Sequence, residues 1–306
     1  MSSKIIFMGT PSFSVPILKS LQESSYKIEV VYTQPPKKKS RGQKIEKSPI
    51  HNEAIKLNIP VECPQILDID KDYNFIKNLG VKFVIVAAYG QIIPERLLNI
   101  PNIIFLNIHA SLLPRWRGAA PIQRSIIEMD TTTGISIMKI VTKLDAGPYM
   151  MQERIKIEQQ DNFITLSKKL SILGSKLIIK SLDELKDDKA NFIEQDESKV
   201  IYAQKIKKKE SEINWNIPAK NIIANINGLN PYPGVWFKHC KTRIKIIEAV
   251  EKKQTGRAGE VLDTNLTVGC KENAIKILSI QKEGKNILDV KSFLAGYKIK
   301  KGDVLY

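Results

Sequence analysis

Cysteine is scarce in this sequence. Cys63, Cys240 and Cys270 are its three thiols in 306 residues, odd in number and far apart. None forms a C-x-x-C pair, which argues against both a disulfide framework and a cysteine zinc site, and reduced thiols in a cytoplasmic protein are the expectation. No cluster of Asp, His and Cys offers a metal site, so no metal is expected. Long apolar runs are missing as well. Phe83 to Ala88 and Ile103 to Leu106 are among the longest, far below the ~20 residues of a bilayer-crossing helix. The first apolar run, Ile5 to Gly9, lacks the length and the small-residue cleavage site of a signal peptide. Membrane and secreted classes fall away, leaving a cytoplasmic protein. A G-x-G-x-x-G turn is also absent. The opening turn reads Gly9-Thr-Pro-Ser-Phe-Ser14, and Pro11 removes an N–H where a pyrophosphate cradle wants one, which argues against dinucleotide binding.

What is present suffices for a folded core: 42% hydrophobic and 26% charged residues exclude wholesale disorder. The length suggests two domains at roughly 150 residues each. The formal net charge is +16, carried by 40 lysines and 8 arginines. Coding bias can make a chain lysine-rich, but it need not place the charge. Residues 206–306 hold 19 basic and 10 acidic side chains, net +9, against net +7 for residues 1–205. That asymmetry favours a polyanionic partner, nucleic acid ahead of a membrane surface. The densest basic segment holds Lys37, Lys38, Lys39, Arg41, Lys44 and Lys47 against one acid, Glu46; a solvated surface loop is its alternative reading.

Strands are expected at Lys4–Met8, Ile28–Thr33, Val81–Ala88 and Ile103–His109, with helical stretches between them such as Val15–Leu21. Apolar strands alternating with helices indicate βαβ units and a mostly parallel, Rossmann-like sheet. Strands at Gly134–Val141 and Pro148–Ile157 follow, and a long amphipathic helix over Phe163–Leu185 closes a first domain, 1–188. Residues 189–207 are polar and charged and read as a linker, with Val200 to Ala203 as a brief ordered contact inside it. Residues 208–306 show a helical patch at Ala219–Ile226. Short strands follow at Arg243–Val250, Gly259–Leu262, Thr267–Gly269 and Ala274–Ile280, the pattern of a small β-barrel. The fold class is thus α/β with a C-terminal OB-like β-barrel.

Asn107-Ile-His109 ends a strand. Residues i and i+2 share a face, so the Asn amide and the imidazole point together from the carboxyl end of a parallel strand, where ligands of open α/β sheets bind. An Asn amide donates to a developing oxyanion, and a His moves a proton near neutral pH. A strand-end Asn and a satisfied core His are the bland alternative. The following loop, Ala110 to Ile122, carries two Arg, a Trp, two Pro and a Gly, more than a bare connection needs. Leu144-Asp145-Ala146-Gly147 adds a carboxylate in a tight turn, able to hold His109 by a hydrogen bond or to serve simply as a turn residue. No Ser or Cys nucleophile accompanies the set, which suits a transfer whose substrate brings its own nucleophile, such as an amine.

The chain resembles the folate-dependent formyltransferase family, and within it the branch that acts on methionyl-tRNA. The resemblance rests on Phe7-Met-Gly-Thr-Pro-Ser-Phe13, Thr33-Gln-Pro35, Ala88-Tyr-Gly-Gln-Ile-Ile-Pro94, Asn107 through Arg124, Leu144-Asp-Ala-Gly147, Asn230-Pro-Tyr-Pro-Gly234 and Gly302-Asp-Val-Leu305. It implies transfer of a formyl group from 10-formyltetrahydrofolate to the α-amino group of methionine on initiator methionyl-tRNA, without a metal and by a monomer. It assigns Asn107, His109 and Asp145 to catalysis. Ser111, Leu112, Leu113 and Pro114 with Tyr89, Gly90, Gln91 and Ile92 go to the folate, and Lys37, Lys38, Lys39, Arg41 and Lys44 to the acceptor end of the tRNA. Ala110 and Pro148 depart from the family pattern without touching the catalytic set. A folate formyltransferase for a small amine, a formate-releasing hydrolase and a non-catalytic nucleic-acid-binding protein remain as alternatives on the residues alone.

Overall fold

A computed structural model describes residues 3–39 and 44–306. The chain forms two compact units. One comprises Met1–Gly118, Thr132–Lys156 and Ser167–Tyr202; the other comprises Ala119–Thr131, Ile157–Leu166 and Ala203–Tyr306.

In the first unit β1 (Lys4–Gly9) is buried from Ile5 onward, as a strand covered on both faces must be. The short helix α1 (Val15–Gln22) buries Ile17, Leu18 and Leu21, and β2 (Lys27–Tyr32) returns parallel to β1. A basic hairpin follows, β3 (Lys37–Lys39) and β4 (Lys44–Glu46). Helix α2 (Pro49–Lys56) is capped by the Ser48 hydroxyl, which accepts from the His51 N–H, and opens with Pro at its first turn. Next come β5 (Val61–Glu62), α3 (Ile69–Asn78) under an Asp68 cap, β6 (Phe83–Ala87), α4 (Glu95–Leu98), β7 (Ile104–His109) and β8 (Arg115–Gly118). After α5 (Pro121–Ile127), which belongs to the second unit, the chain adds β9 (Thr132–Lys139), β10 (Tyr149–Lys156), the 24-residue α6 (Phe163–Lys186) and β11 (Ile201–Ala203).

The central sheet has seven strands in the order β10-β9-β7-β6-β1-β2-β5. Five are mutually parallel; β9 runs antiparallel to β7, and β10 antiparallel to β9. Ile6, Met8, Val30, Tyr32, Val84, Val86 and Phe105 pack a core on one face. On β7, Ile108 is packed under α6. A Cβ at Gly174 would sit 2.9 Å from the Ile108 side chain, so only glycine lets the helix come this close. Strand alternation then sends Asn107 and His109 to the other face. The expected linker 189–207 is packed into the first unit up to Tyr202: Ile193 exchanges two main-chain hydrogen bonds with Tyr149, Gln195 is buried, and the Ile201 N–H donates to Pro114.

In the second unit α7 (Ala219–Leu229) lies against the antiparallel strands β12 (Val235–His239), β13 (Thr242–Lys252), β14 (Thr267–Gly269), β15 (Ala274–Lys282) and β16 (Ile287–Asp289), followed by α8 (Val290–Gly296). Segment 303–306 closes the sheet. Lys238 and Tyr306 exchange main-chain hydrogen bonds, Leu305 donates to Gly259, and Val261 donates to Asp303 while bridging to Val268 of β14. The ring β12–β13–β15–β14, then 259–261 and 303–306, is the barrel anticipated above. Gly259–Leu262 joins it by isolated bridges instead of a full strand. Trp215, Ile222, Ile226, Phe237, Ile244 and Ile246 are among its core.

Candidate active site

The carboxyl end of β7 carries Asn107 and His109, and the turn after β9 carries Asp145. The His109 ring is buried, and its Nε2 lies 2.8 Å from the Trp116 carbonyl oxygen. A carbonyl only accepts, so the ring proton sits on Nε2 and the lone pair on Nδ1. That Nδ1 stands 3.8 Å from Asp145 Oδ2. The Asp145–His109 hydrogen bond envisaged from the sequence is therefore not formed; the carbonyl of Trp116 orients the imidazole. Asp145 Oδ2 accepts instead from the Gly118 N–H at 2.8 Å, and Oδ1 lies 3.4 Å from Asn107 Nδ2. A proton reaching Nδ1 would find the Asp145 carboxylate as its counter-charge. Trp116 (φ +65°) and Asp145 (φ +47°) both hold left-handed backbone, a conformation costing about 1–2 kcal/mol in a non-glycine residue. The strain falls on the two residues that aim the carbonyl and the carboxylate.

Segment 111–114 is held from below by β9. Ser136 is fully buried opposite His109. Its hydroxyl donates to the Ser111 carbonyl at 2.6 Å and accepts from the Leu113 N–H at 3.0 Å and from Gln152 Nε2 at 2.9 Å; Gln152 also donates to the Leu113 carbonyl at 2.8 Å. Sequence reasoning missed both residues. Ser136 stands between the apolar Ile135 and Ile137, and that interruption was the available signal. Of the expected folate contacts here, Ser111 and Leu113 are buried, while Leu112 and Pro114 keep part of their surface.

The second expected folate segment divides similarly. Tyr89 is core-packed, and burial raises its phenol well above the ordinary tyrosine value. Gly90 is exposed, Gln91 half-buried, and Ile92 is 91% exposed. Gln34 holds this loop, donating from Nε2 to the carbonyls of Tyr89 and Gly90 at 3.1 and 2.8 Å, while Thr10 donates to the Tyr89 carbonyl at 2.7 Å. The ammonium of Lys37, on the basic hairpin, donates to Gln34 Oε1. Lys38, Lys39 and Lys44 belong to the hairpin strands by backbone, and Arg41 lies outside the described residues.

Arg117, also missed, is fully buried; it donates through Nε to Gln195 Oε1 at 2.9 Å and through Nη2 to Glu197 at 2.8 Å. Hydrogen bonds from Arg117 and then Lys143 push the Glu197 carboxyl down to about 2. Among the described residues, no group of three or more His, Cys, Asp or Glu side chains is placed to hold a metal ion, and no helix is long and apolar enough to cross a membrane.

The sequence profile described as formyl transferase matches residues 3–182, and that of the formyl transferase C-terminal domain matches residues 205–298. The chain belongs to the formyl transferase family. It is 51% identical over 304 residues to the methionyl-tRNA formyltransferase of Pelagibacter ubique (strain HTCC1062), covering 99% of this chain and 98% of that one. The methionyl-tRNA formyltransferase of Jannaschia sp. (strain CCS1) is 40% identical, covering 99% of each chain. In fold, the chain resembles HypX from Aquifex aeolicus, solved in complex with tetrahydrofolic acid, with a TM-score of 0.68 at 15% identity. That match covers 100% of this chain and 51% of the other, so the chain spans about half of HypX. The chain is thus an enzyme that transfers a formyl group.

Proposed function

We propose that the chain transfers the formyl group of 10-formyltetrahydrofolate to the α-amino group of methionyl initiator tRNA, in the cytoplasm and without a metal. The observation that carries this reading is the convergence of Asn107, His109 and Asp145 with no nucleophilic side chain among them. The residues present fit a folate. Leu112, Pro114 and Ile92 keep apolar surface available, and Asn107 Nδ2 has donor capacity beyond its single 3.4 Å contact. Leu112, Pro114, Gly90, Gln91 and Ile92 would hold the folate, and Ser111, Leu113 and Tyr89 would shape that loop pair from beneath. The bound folate supplies a formyl group activated toward an amine.

His109 Nδ1 takes the proton released as the methionine amine attacks, because its lone pair is free while Nε2–H is committed to Trp116, and returns it to the folate nitrogen as the bond between that nitrogen and the formyl carbon breaks. Asp145 stabilises the resulting imidazolium across 3.8 Å. Asn107 donates to the formyl oxygen as it gains charge; a single donor of this kind is worth about 10²–10³ in rate. Lys37, Lys38, Lys39, Arg41 and Lys44 are proposed to grip the acceptor end of the tRNA, and residues 208–306 to bind it further along. The high identity to relatives named for methionyl-tRNA supports this substrate over a small amine. The decisive assay incubates the protein with 10-formyltetrahydrofolate and charged initiator tRNA and looks for formylmethionyl-tRNA. Formylation of an amino sugar in its absence, or release of free formate alone, would overturn the proposal.

A further inference from the structure

We infer that Gln195 is a positioning residue of this reaction, acting through the turn that carries Asp145. The inference rests on the role proposed above for Asp145. Gln195 is buried, and its amide nitrogen donates both hydrogens into one turn, to the Asp145 carbonyl at 2.9 Å and the Gly147 carbonyl at 2.7 Å. Its oxygen accepts from Arg117 Nε at 2.9 Å. This pattern admits one amide orientation. A flip would set the NH₂ against a guanidinium and the oxygen against two carbonyls, losing three hydrogen bonds at once.

The neighbours of Gln195 extend the clamp. Arg117 reaches Glu197 at 2.8 Å, and Glu197 accepts from Lys143 Nζ at 2.6 Å. Segment 195–197 therefore grips the turn on both sides, at Lys143 before it and at Asp145 and Gly147 within it. Gly147 has no room for a side chain, since a Cβ would lie 1.9 Å from the Lys139 carbonyl oxygen. Arg117 also stands one residue before Gly118, whose N–H holds Asp145 Oδ2. One strand thus anchors the carboxylate directly and, through Gln195, the main chain beneath it.

An aspartate side chain has two rotatable bonds, so its carboxylate goes where its backbone goes. Asp145 sits at φ +47°, a conformation that persists only where the surroundings over-determine it. Gln195 supplies that determination. Without its two donors the turn relaxes, and the 3.8 Å relation between Asp145 and His109 Nδ1 goes with it.

The test is a kinetic cycle on the full-length enzyme with both substrates. Gln195→Met removes the donors at similar size, and Gln195→Glu keeps the shape and the Arg117 contact while turning an oxygen toward the two carbonyls. Each should lower kcat by about 10- to 100-fold, as a displacement on the order of 1 Å does, with KM for either substrate moving less than about threefold. In an Asp145→Asn background, the same changes should cost less than about threefold more, because their target is already gone. Near-normal kcat in both Gln195 variants overturns the inference, and so does an equal loss repeated on top of Asp145→Asn, which marks a general structural role. Near-normal kcat in Asp145→Asn alone instead overturns the role of Asp145 and removes what Gln195 would position.

Discussion

In the proposed reaction Asn107 and His109 act on the same reacting group from one strand face, one as a donor and the other as a base. His109→Ala removes the proton acceptor and should lower the single-turnover rate by about 10²–10⁴. Asn107→Ala removes a charge-stabilising donor and should lower it by about 10²–10³. The double variant should fall far short of the product of the two losses, since both serve one step, and tRNA affinity should stay near normal in all three. A near-normal rate in either single variant would remove that residue from the chemistry. These side chains were legible in the sequence because strand alternation alone puts i and i+2 on a common face. The atom that orients His109 was not legible. It is a main-chain oxygen of Trp116, aimed by a left-handed φ that no side-chain pattern announces. Gln195 was hidden for another reason: it lies fifty residues beyond Asp145, in a stretch whose polarity reads as a linker.

At the scale of elements, segment 111–114 depends on β9 more than on itself. The Ser136 hydroxyl makes one donated and two accepted hydrogen bonds with no exposure to water. Ser136→Ala leaves the Leu113 N–H without this partner in a dry site, at a cost of about 1–3 kcal/mol. The expected outcome is a lower denaturation midpoint together with a raised KM for the formyl donor, measured at saturating tRNA. An unchanged KM would mean that the segment does not contact the donor. The elements read well from sequence include β1, β2, β6, β7, β9, β10, β13, β15 and α6, whose apolar or alternating patterns run for five residues or more, and the short β14, set off by its neighbouring turns. The hairpin β3–β4, the two-residue β5 and the four-residue α4 escaped, because so few residues carry no periodicity and their pairing comes from tertiary context. Ser136 belongs to a strand whose existence was legible and whose buried polar position opposite His109 was not.

For the whole molecule, charge is the property that sequence composition states and structure locates. The net +9 of residues 206–306 includes a cluster on one face of the barrel. Trp236, Lys238, Arg243 and Lys245 share that face through the β12–β13 register, opposite the core residues Val235, Phe237, Ile244 and Ile246. The Arg243 guanidinium stacks on the Trp236 ring, 3.9 Å from its centroid, and Lys238 lies 5.5 Å from the same ring. An arginine held over an aromatic face can still offer its edge N–H groups to phosphate oxygens. If the basicity of this unit serves a polyanion, Lys238→Gln with Arg243→Gln should weaken binding of initiator and elongator tRNA alike. It should also make log Kd less steep against log salt, by about one unit of slope for each phosphate no longer neutralised. The two side chains lie outside the proposed chemistry, so kcat at saturating tRNA should hold while KM for tRNA rises. Arg243→Lys separates stacking from bulk charge: it keeps the charge and gives up the planar fork, and should recover the salt slope but only part of the affinity. An unaltered slope in the double glutamine variant, measured from low to physiological salt, would assign the lysine-rich composition of this face to coding bias rather than to tRNA.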